Sequence, residues 1–85
     1  MSKKKRITVY ALSTCVWCKR TKRLLNDLGV AYDCIDVDLL SEEDEREARD
    51  IVERLNPEGS FPVLVIDNKE VICGYDEDRI RKAVT

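Results

Sequence analysis

The first half of the chain alternates between two hydrophobic periods. The run RITVYAL is rich in β-branched and aromatic residues, which is typical of a strand. In VWCKRTKRLLNDLG the apolar positions recur with a helical period, and Gly29 is placed to end the helix. The expected buried face of this helix carries Trp17, Thr21, Leu24, Leu25 and Leu28. The run VAYDCIDVDLL predicts a second strand, so the segment predicts a right-handed βαβ unit with parallel strands.

A second amphipathic helix is predicted in SEEDEREARDIVERLNP. Ser41 is a candidate N-cap with Asp44 three residues later, and the acids of the first turn suit the positive end of the helix dipole. The expected buried stripe consists of Ala48, Ile51, Val52 and Leu55. The remaining acids are interpreted as the solvated face of this helix.

The last third of the chain predicts a hairpin followed by a helix. The apolar runs FPVLVI and KEVIC flank Asp67 and Asn68, which tolerate the positive φ of a tight antiparallel turn. GYDEDRIRKAV has Asp76 as a candidate cap, acids early and bases late, and it predicts a final helix. Its expected inward residues are Ile80, Ala83 and Val84. The predicted order of elements is βαβαββα.

Length and composition limit the class of protein. With 85 residues, of which 44% are hydrophobic and 38% charged, one domain with a modest core is expected. The basic start MSKKKR is not followed by a secretory signal pattern, and no stretch is long and apolar enough to span a membrane. A cytoplasmic location is therefore expected. In that reducing compartment the four cysteines are expected to be redox-active, metal-binding or buried rather than joined in structural disulfides.

Charge is distributed unevenly along the chain. All eight bases up to Arg23 precede the first acid, Asp27, so a basic pole surrounds the first two cysteines. A basic pole can bind nucleic acid, but the acidic pI of about 5.2 and the lack of interleaved aromatic residues do not favour that function. Attraction of anionic partners toward the thiols is the better interpretation.

Two cysteines in TCVWCKRTKR carry the strongest chemical signal. Cys15 and Cys18 at the start of a helix have Cα atoms about 5 Å apart, which is within the range for a reversible disulfide. The unpaired N–H groups and the dipole at the helix N-terminus favour the thiolate of Cys15, and Lys19 and Arg20 add positive charge. Since the thiolate is the nucleophile, Cys15 is the candidate attacking residue.

Metal binding is the alternative use of these thiols. A closed zinc site needs four ligands, but the chain has no histidine and no second C-x-x-C. Only Cys34 and Cys73, which lie singly in predicted strands, could complete a thiolate site. We therefore expect dithiol redox chemistry and no metal, and we keep a metal or iron–sulfur carrier as the second hypothesis.

Several motifs together resemble the glutaredoxin family of the thioredoxin-fold superfamily. The resemblance is carried by TVYALSTCVWCKRTKRLL, by SFPVLVIDNKEVICGYDED and by the order βαβαββα, and it spans nearly the whole chain after a basic tip at residues 1–5. It implies a single α/β domain over residues 1–85, with a four-stranded mixed sheet flanked by three helices. It also implies a cis bond between Phe61 and Pro62, facing the thiols and offering backbone hydrogen bonds to a substrate.

The resemblance also implies an activity, that of a thiol–disulfide oxidoreductase or electron carrier. Cys15 would attack a disulfide and Cys18 would resolve the mixed disulfide, with no cofactor other than this redox pair. The implied substrate-binding residues are Trp17, Phe61, Pro62, Gly74, Tyr75, Asp76 and Glu77. Trp17 is interpreted as a recognition residue, with helix core as its alternative. A monomer that does not bind nucleic acid or membranes is expected.

Departures from the family pattern affect the expected electron donor. Leu12 stands where glutathione-using members typically carry a lysine, Ser60-Phe61-Pro62 replaces Thr-Val-Pro, and Cys73-Gly74 replaces Gly-Gly. Asp76 and Glu77 still match the acidic pair that meets the amino group of glutathione in the family, so the implied glutathione site is half present and glutathione use is doubtful. GYDEDRI is equally similar to the ending of redoxins that reduce ribonucleotide reductase and are recharged by thioredoxin reductase. Disulfide-containing proteins such as ribonucleotide reductase are thus expected substrates, with a thioredoxin-reductase-type enzyme or glutathione as donor.

The remaining cysteines and the second thiol of the pair leave open points. Cys34 is expected to pack in its strand as a small hydrophobic residue. Cys73 is expected near Pro62 on the side of the thiols, either packed or acting as a third redox thiol. Thioredoxin has a buried acid beneath its second cysteine, but the first strand here has none. No general base for Cys18 is apparent, and its proton is expected to leave through water or to the departing thiolate.

Overall fold

The elements follow one another in the predicted order in a computed structural model that describes residues 5–85. Residues 1–4 of the predicted basic tip lie outside the described part of the chain. The strands are β1 (Ile7–Ala11), β2 (Asp33–Asp36), β3 (Val63–Ile66) and β4 (Glu70–Cys73). The helices are α1 (Val16–Asp27), α2 (Glu42–Leu55) and α3 (Glu77–Val84), with a short 3-10 helix at Val37–Leu39. The predicted βαβαββα order is confirmed.

One mixed sheet positions the loop that leads to Cys15. The strand order is β2-β1-β3-β4, with β1 and β2 parallel and the other two pairs antiparallel. Ala11, the last residue of β1, pairs in register with Asp36, the last residue of β2. Because parallel strands end at the same edge of a sheet, the loop that leads to Cys15 lies beside the segment that follows Asp36.

The apolar pattern of the sequence explains the packing on both faces of the sheet. A cluster on one face joins α1 and α3 to the sheet through the buried residues Ile7, Val9, Ala11, Leu24, Leu25, Leu64, Ile66, Ile72, Ile80, Ala83 and Val84. Val63 alternates with Leu64 and is also buried, so it faces the opposite side, where Ala48 and Val52 of α2 are buried too. The three helices therefore flank the sheet as expected.

Turn chemistry holds as predicted. Asp67 and Asn68 have φ of 54° and 57°, and the N–H of Lys69 donates to the carbonyl of Ile66 at 3.0 Å. Gly29 ends α1 at a φ of 70°. Left-handed backbone of this kind is most accessible to Gly, Asn and Asp, which is why these residues identified the turns in the sequence.

Three expectations about individual segments are wrong. The second predicted strand shortens to Asp33–Asp36, because Val37–Leu39 turns into the 3-10 helix before α2. Ile51 of α2 is 42% exposed rather than buried, because only Ala48 and Val52 of this helix are buried against the sheet. Cys34 is exposed, because it lies on β2, the edge strand of the sheet.

Candidate functional site

Cys15 is the N-cap of α1. Its backbone is extended, with φ −84° and ψ 120°, and its Sγ accepts a hydrogen bond from the N–H of Cys18 at 3.2 Å. The N–H of Cys15 donates to the carbonyl of Leu12 at 3.1 Å, which closes the loop after β1. No acidic residue lies in the first turn of α1. The sulfur therefore sits at an unneutralised helix N-terminus, the position that favours an anion.

Cys18 is in a different environment from its partner. Its side chain is 0% exposed, whereas Cys15 is half-buried. Burial, followed by the hydrogen bond with Cys15, raises the pKa of the Cys18 thiol to about 12. The two thiols are thus unequal, since one sulfur is accessible and the other is held as a buried thiol.

The loop before β3 faces the accessible sulfur. The bond between Phe61 and Pro62 is cis, and the Sγ of Cys15 lies 4.0 Å from the carbonyl oxygen of Phe61. Pro62 is buried, and its carbonyl accepts a hydrogen bond from the N–H of Gly74 at 2.8 Å. The structure therefore brings Cys15, Phe61, Pro62 and Gly74 together, and a substrate-binding role for these residues stays a prediction.

Trp17 lies on the surface of this site. It is 52% exposed, so its expected place on the buried face of α1 is wrong; Cys18 occupies that face instead. The ring of Trp17 stacks on Tyr75, with centroids 5.7 Å apart and planes at 27°, and the guanidinium carbon of Arg20 lies 5.0 Å from the centroid of Trp17. An exposed aromatic surface fixed in this way is suited to substrate contact.

The charged residues predicted for the site differ in their contacts. Lys19 and Arg20 are exposed, and within residues 5–85 neither side chain hydrogen-bonds to Cys15. Asp76 caps α3 by accepting from the N–H of Arg79 at 3.2 Å. Glu77 pairs with Arg81 at 2.9 Å and accepts from the hydroxyl of Tyr75 at 3.4 Å. Both acids thus have partners within α3 and its N-terminus.

Two carboxylates that were not predicted from the sequence hold the segments around the thiols in place. Asp38 accepts from the N–H of Ser13 at 2.9 Å and from its hydroxyl at 2.5 Å, and these hydrogen bonds hold the pKa of Asp38 below its usual value. Asp36 forms an ion pair with Lys22 of α1 at 2.9 Å. The available signal was the position of both acids at the end of a strand parallel to β1.

The other two cysteines do not join the pair. Cys34 is exposed and its Sγ lies 3.8 Å from the carboxylate of Asp36, whereas Cys73 is exposed and its Sγ lies 3.9 Å from the carbonyl of Leu55. Cys73 is therefore not a packed core residue, and a redox role for it stays a prediction. Within the described part of the chain, no three or more His, Cys, Asp or Glu side chains are grouped so as to hold a metal ion.

Comparison with known proteins identifies the family. The family model for glutaredoxin matches residues 7–71. This chain belongs to the glutaredoxin family. The predicted resemblance and the thioredoxin-like fold are therefore confirmed, and membership supports a thiol oxidoreductase role with Cys15 and Cys18 as its C-x-x-C pair. No helix within residues 5–85 is long and apolar enough to cross a membrane.

Individual glutaredoxin-like proteins are similar over most of their length. Methanoredoxin from Methanosarcina acetivorans is 47% identical, with a TM-score of 0.91 over 95% of this chain and 85% of the other. A glutaredoxin-like 8.6 kDa protein in the rubredoxin operon of Clostridium pasteurianum is 32% identical over 78 residues, which are 92% of this chain and 96% of that protein. The glutaredoxin-like protein NrdH-redoxin from Escherichia coli, described as having a thioredoxin-like activity profile, is 28% identical. Its TM-score is 0.66, over 91% of this chain and 92% of the other.

Proposed function

We propose that this protein reduces protein disulfides by a two-thiol mechanism and is itself recharged by a dithiol donor better than by glutathione. The observation that carries the proposal is the inequality of the two thiols. Cys15 is accessible at an acid-free helix N-terminus, while Cys18 is fully buried with its N–H 3.2 Å from the sulfur of Cys15. One thiol is thus suited to attack an external disulfide and the other to attack the product.

The reaction would proceed in two exchanges. The Cys15 thiolate attacks one sulfur of the substrate disulfide, which forms a mixed disulfide and releases the other substrate sulfur as a thiolate that takes a proton from water. Cys18 then attacks the sulfur of Cys15, which forms the Cys15–Cys18 disulfide and releases the second substrate thiol. The substrate gains two electrons and two protons. A dithiol donor later returns two electrons and two protons to the protein.

The surface around Cys15 supports a protein substrate. Trp17 and Tyr75 form an exposed stacked pair beside the thiol, and Phe61 presents its backbone carbonyl to the sulfur. An extended peptide can lie across such a surface through apolar contacts and backbone hydrogen bonds. Ribonucleotide reductase is the candidate substrate, because GYDEDRI resembles the ending of redoxins that serve it and an NrdH-redoxin is among the structural neighbours.

The residues near the thiols are less suited to glutathione, which carries two carboxylates and an amine. Leu12 has no positive charge to pair with a carboxylate. Asp76 already accepts from the backbone N–H of Arg79, and Glu77 already pairs with the side chain of Arg81. A missing charge-assisted bond costs about 1.5 to 3 kcal/mol, or roughly ten- to hundredfold in affinity. A thioredoxin-reductase-type flavoenzyme is therefore the proposed donor.

The test is turnover with a disulfide protein substrate, using the two donors side by side. The unmodified protein should turn over faster with thioredoxin reductase and NADPH than with glutathione and glutathione reductase. Leu12→Lys should raise glutathione-dependent turnover about tenfold, whereas Leu12→Met, the uncharged control of similar size, should not. Saturable use of micromolar glutathione by the unmodified protein would contradict the proposed donor.

The two-thiol mechanism has its own test. Cys18→Ser should accumulate a mixed disulfide between Cys15 and the substrate, visible as a covalent complex on a non-reducing gel. If this variant turns over a protein disulfide as fast as the unmodified protein, a one-thiol mechanism is correct instead. Iron and zinc contents of the anaerobically purified protein test the remaining hypothesis of a metal or iron–sulfur carrier.

A further inference from the structure

An ion pair lies one helical turn beyond the resolving thiol. Lys22 follows Cys18 by four residues on α1, so the two side chains lie on the same face of the helix. Side chains on a helix lean toward its N-terminus, which directs the stem of Lys22 over the turn that contains Cys18. The Nζ of Lys22 is 2.9 Å from Oδ1 of Asp36, and the two side chains are only 24% and 28% exposed. The ammonium is thus fixed rather than free in solvent.

The fold places this ion pair at the active-site edge of the sheet. Asp36 ends β2 and pairs in register with Ala11, the residue from which β1 enters the loop to Cys15. The carboxylate is therefore anchored to the same edge as the reacting cysteines. Cys34, two residues earlier, has its Sγ 3.8 Å from the same carboxylate oxygen.

The resolving step poses an electrostatic problem that this pair can solve. Cys18 is fully buried, and its attack on the mixed disulfide requires negative charge to develop on its sulfur. Cys18 belongs to the apolar core cluster of the sheet, and a backbone hydrogen bond from Leu12 and the charge of Lys22 are the two influences that lower the pKa of its thiol. Once Cys15 is in a mixed disulfide it carries no charge. Lys22, one helical turn further along the same face, is then the cation whose charge favours a thiolate at Cys18.

We propose that the Lys22 ammonium stabilises the negative charge that develops on the Cys18 sulfur during the resolving step, with Asp36 as the positioning residue that holds the ammonium. The inference rests on the proposed two-thiol function. The bond between the sulfurs of Cys15 and Cys18 forms while the bond from Cys15 to the substrate breaks. The departing substrate sulfur takes the electron pair and receives, through water, the proton that Cys18 loses. Lys22 keeps its own proton throughout.

The charge state of the pair agrees with this role. Burial acts to lower the pKa of Lys22, but the hydrogen bonds with Asp36 and Cys34 outweigh it, and the net pKa is raised. Lys22 is therefore a cation at neutral pH. The titratable groups that act on Cys18 from its own helix and cap are Cys15 and Lys22. Asp36 and Cys34 of β2 act on Lys22 and so affect Cys18 only through it. Tyr75, which precedes α3, lies at the edge of the core and directs its hydroxyl to Glu77.

The experiment follows the two exchange steps separately. The reduced protein is mixed in a stopped-flow instrument with a symmetric aromatic disulfide that releases one coloured thiolate at each step, over a range of pH. Lys22→Met should slow the second release about tenfold, move its pH dependence to higher pH and leave the first release unchanged. Lys22→Arg should restore the second release. Arg23→Met, the matched loss of an exposed base from the same helix, should behave as the unmodified protein.

Asp36→Asn separates charge from structure, because it breaks the ion pair but keeps the positive charge of Lys22. Because the amide oxygen of the new side chain can still accept a hydrogen bond from the ammonium, we expect its second release to be slower than that of the unmodified protein but much less slowed than that of Lys22→Met. Equal slowing by Asp36→Asn and Lys22→Met would overturn the inference, since the pair would then be only a structural brace. A normal second release in Lys22→Met would overturn it as well. An unmodified protein that releases a single thiolate would instead disprove the two-thiol function and this step with it.

Discussion

Helices α1 and α2 both begin with a side-chain N-cap, but the charges of their first turns differ. The Sγ of Cys15 accepts from the N–H three residues later at 3.2 Å, and the Oγ of Ser41 does the same at 3.3 Å. The first turn of α2 then carries Glu42, Glu43, Asp44 and Glu45, whereas the first turn of α1 carries no acid. In α2 the carboxylates meet the positive end of the dipole, and in α1 that end is left for a sulfur anion.

The third described helix follows the pattern of α2. Asp76 caps α3, and Glu77 and Asp78 follow in its first turn. Of the helices within residues 5–85, only α1 therefore has a weakly accepting thiol as its cap and no first-turn acid. The comparison indicates that α1 forgoes cap and dipole stabilisation of about 0.3 to 1 kcal/mol, and under the proposed function this helix terminus would instead stabilise the attacking thiolate.

Replacing the reactive cap should have the largest effect. Cys15→Ser removes the nucleophile, and we expect disulfide reduction to fall at least a thousandfold, to background. A serine hydroxyl is a better N-cap than a thiol, so the free energy of unfolding should stay equal or rise. Enzyme assays and urea unfolding of the same preparation measure both effects.

The matching change in α2 should show the opposite result. Ser41→Ala removes a structural cap, so it should cost about 1 kcal/mol of unfolding free energy and leave turnover unchanged. Loss of activity in Ser41→Ala without loss of stability would contradict the separation of roles between the two helices.

The sequence predicted the features that depend on local chemistry. Caps, first-turn charges, the glycine after α1 and the turn at Asp67 and Asn68 are written in neighbouring residues, and they are found where expected. The family motif added the cis bond before Pro62, which local propensities alone do not specify.

Features that depend on tertiary neighbours were not predictable in the same way. The periodic pattern gave Trp17 a buried position, but the stacking partner that holds it at the surface, Tyr75, is far away in the chain. The braces of Asp36 to Lys22 and of Asp38 to Ser13 join residues 14 and 25 positions apart. Neither spacing has a sequence signature, and both contacts follow from the parallel register of β1 and β2.

Moving a thiol to the cap of α2 should sharpen the comparison. In Ser41→Cys the new sulfur has the same cap position as Cys15 but lies among four carboxylates. Because like charge disfavours a thiolate, its alkylation by iodoacetamide near neutral pH should be about tenfold slower than that of Cys15. Peptide mass spectrometry after timed alkylation measures both thiols in one sample. Equal rates would show that the first-turn acids do not matter.

Adding an acid to α1 tests the same cause from the other side. Val16 is the first residue of the helix and 62% exposed, so Val16→Glu can place a carboxylate in the first turn without disturbing the core. Alkylation of Cys15 should slow about threefold, while the unfolding free energy rises by about 0.3 to 1 kcal/mol. Val16→Gln is the uncharged control. If both variants have the same alkylation rate, the charge of the first turn is not the cause.

The smallest expected effect concerns the hydrogen bonds from Ser13 to Asp38, which hold the loop in front of α1. The hydrogen bonds from Ser13 lower the pKa of Asp38 in the folded state, so its carboxylate contributes stability above the unfolded pKa of about 4. That contribution should be lost as the pH falls through the lower, folded value.

Asp38→Asn should therefore be less stable than the unmodified protein at neutral pH, and the difference should shrink below about pH 4. Urea unfolding across that range measures it, with Asp44→Asn in the exposed first turn of α2 as the matched loss of a carboxylate. A difference between Asp38→Asn and the unmodified protein that is independent of pH would show that ionisation of Asp38 does not support the loop before Cys15.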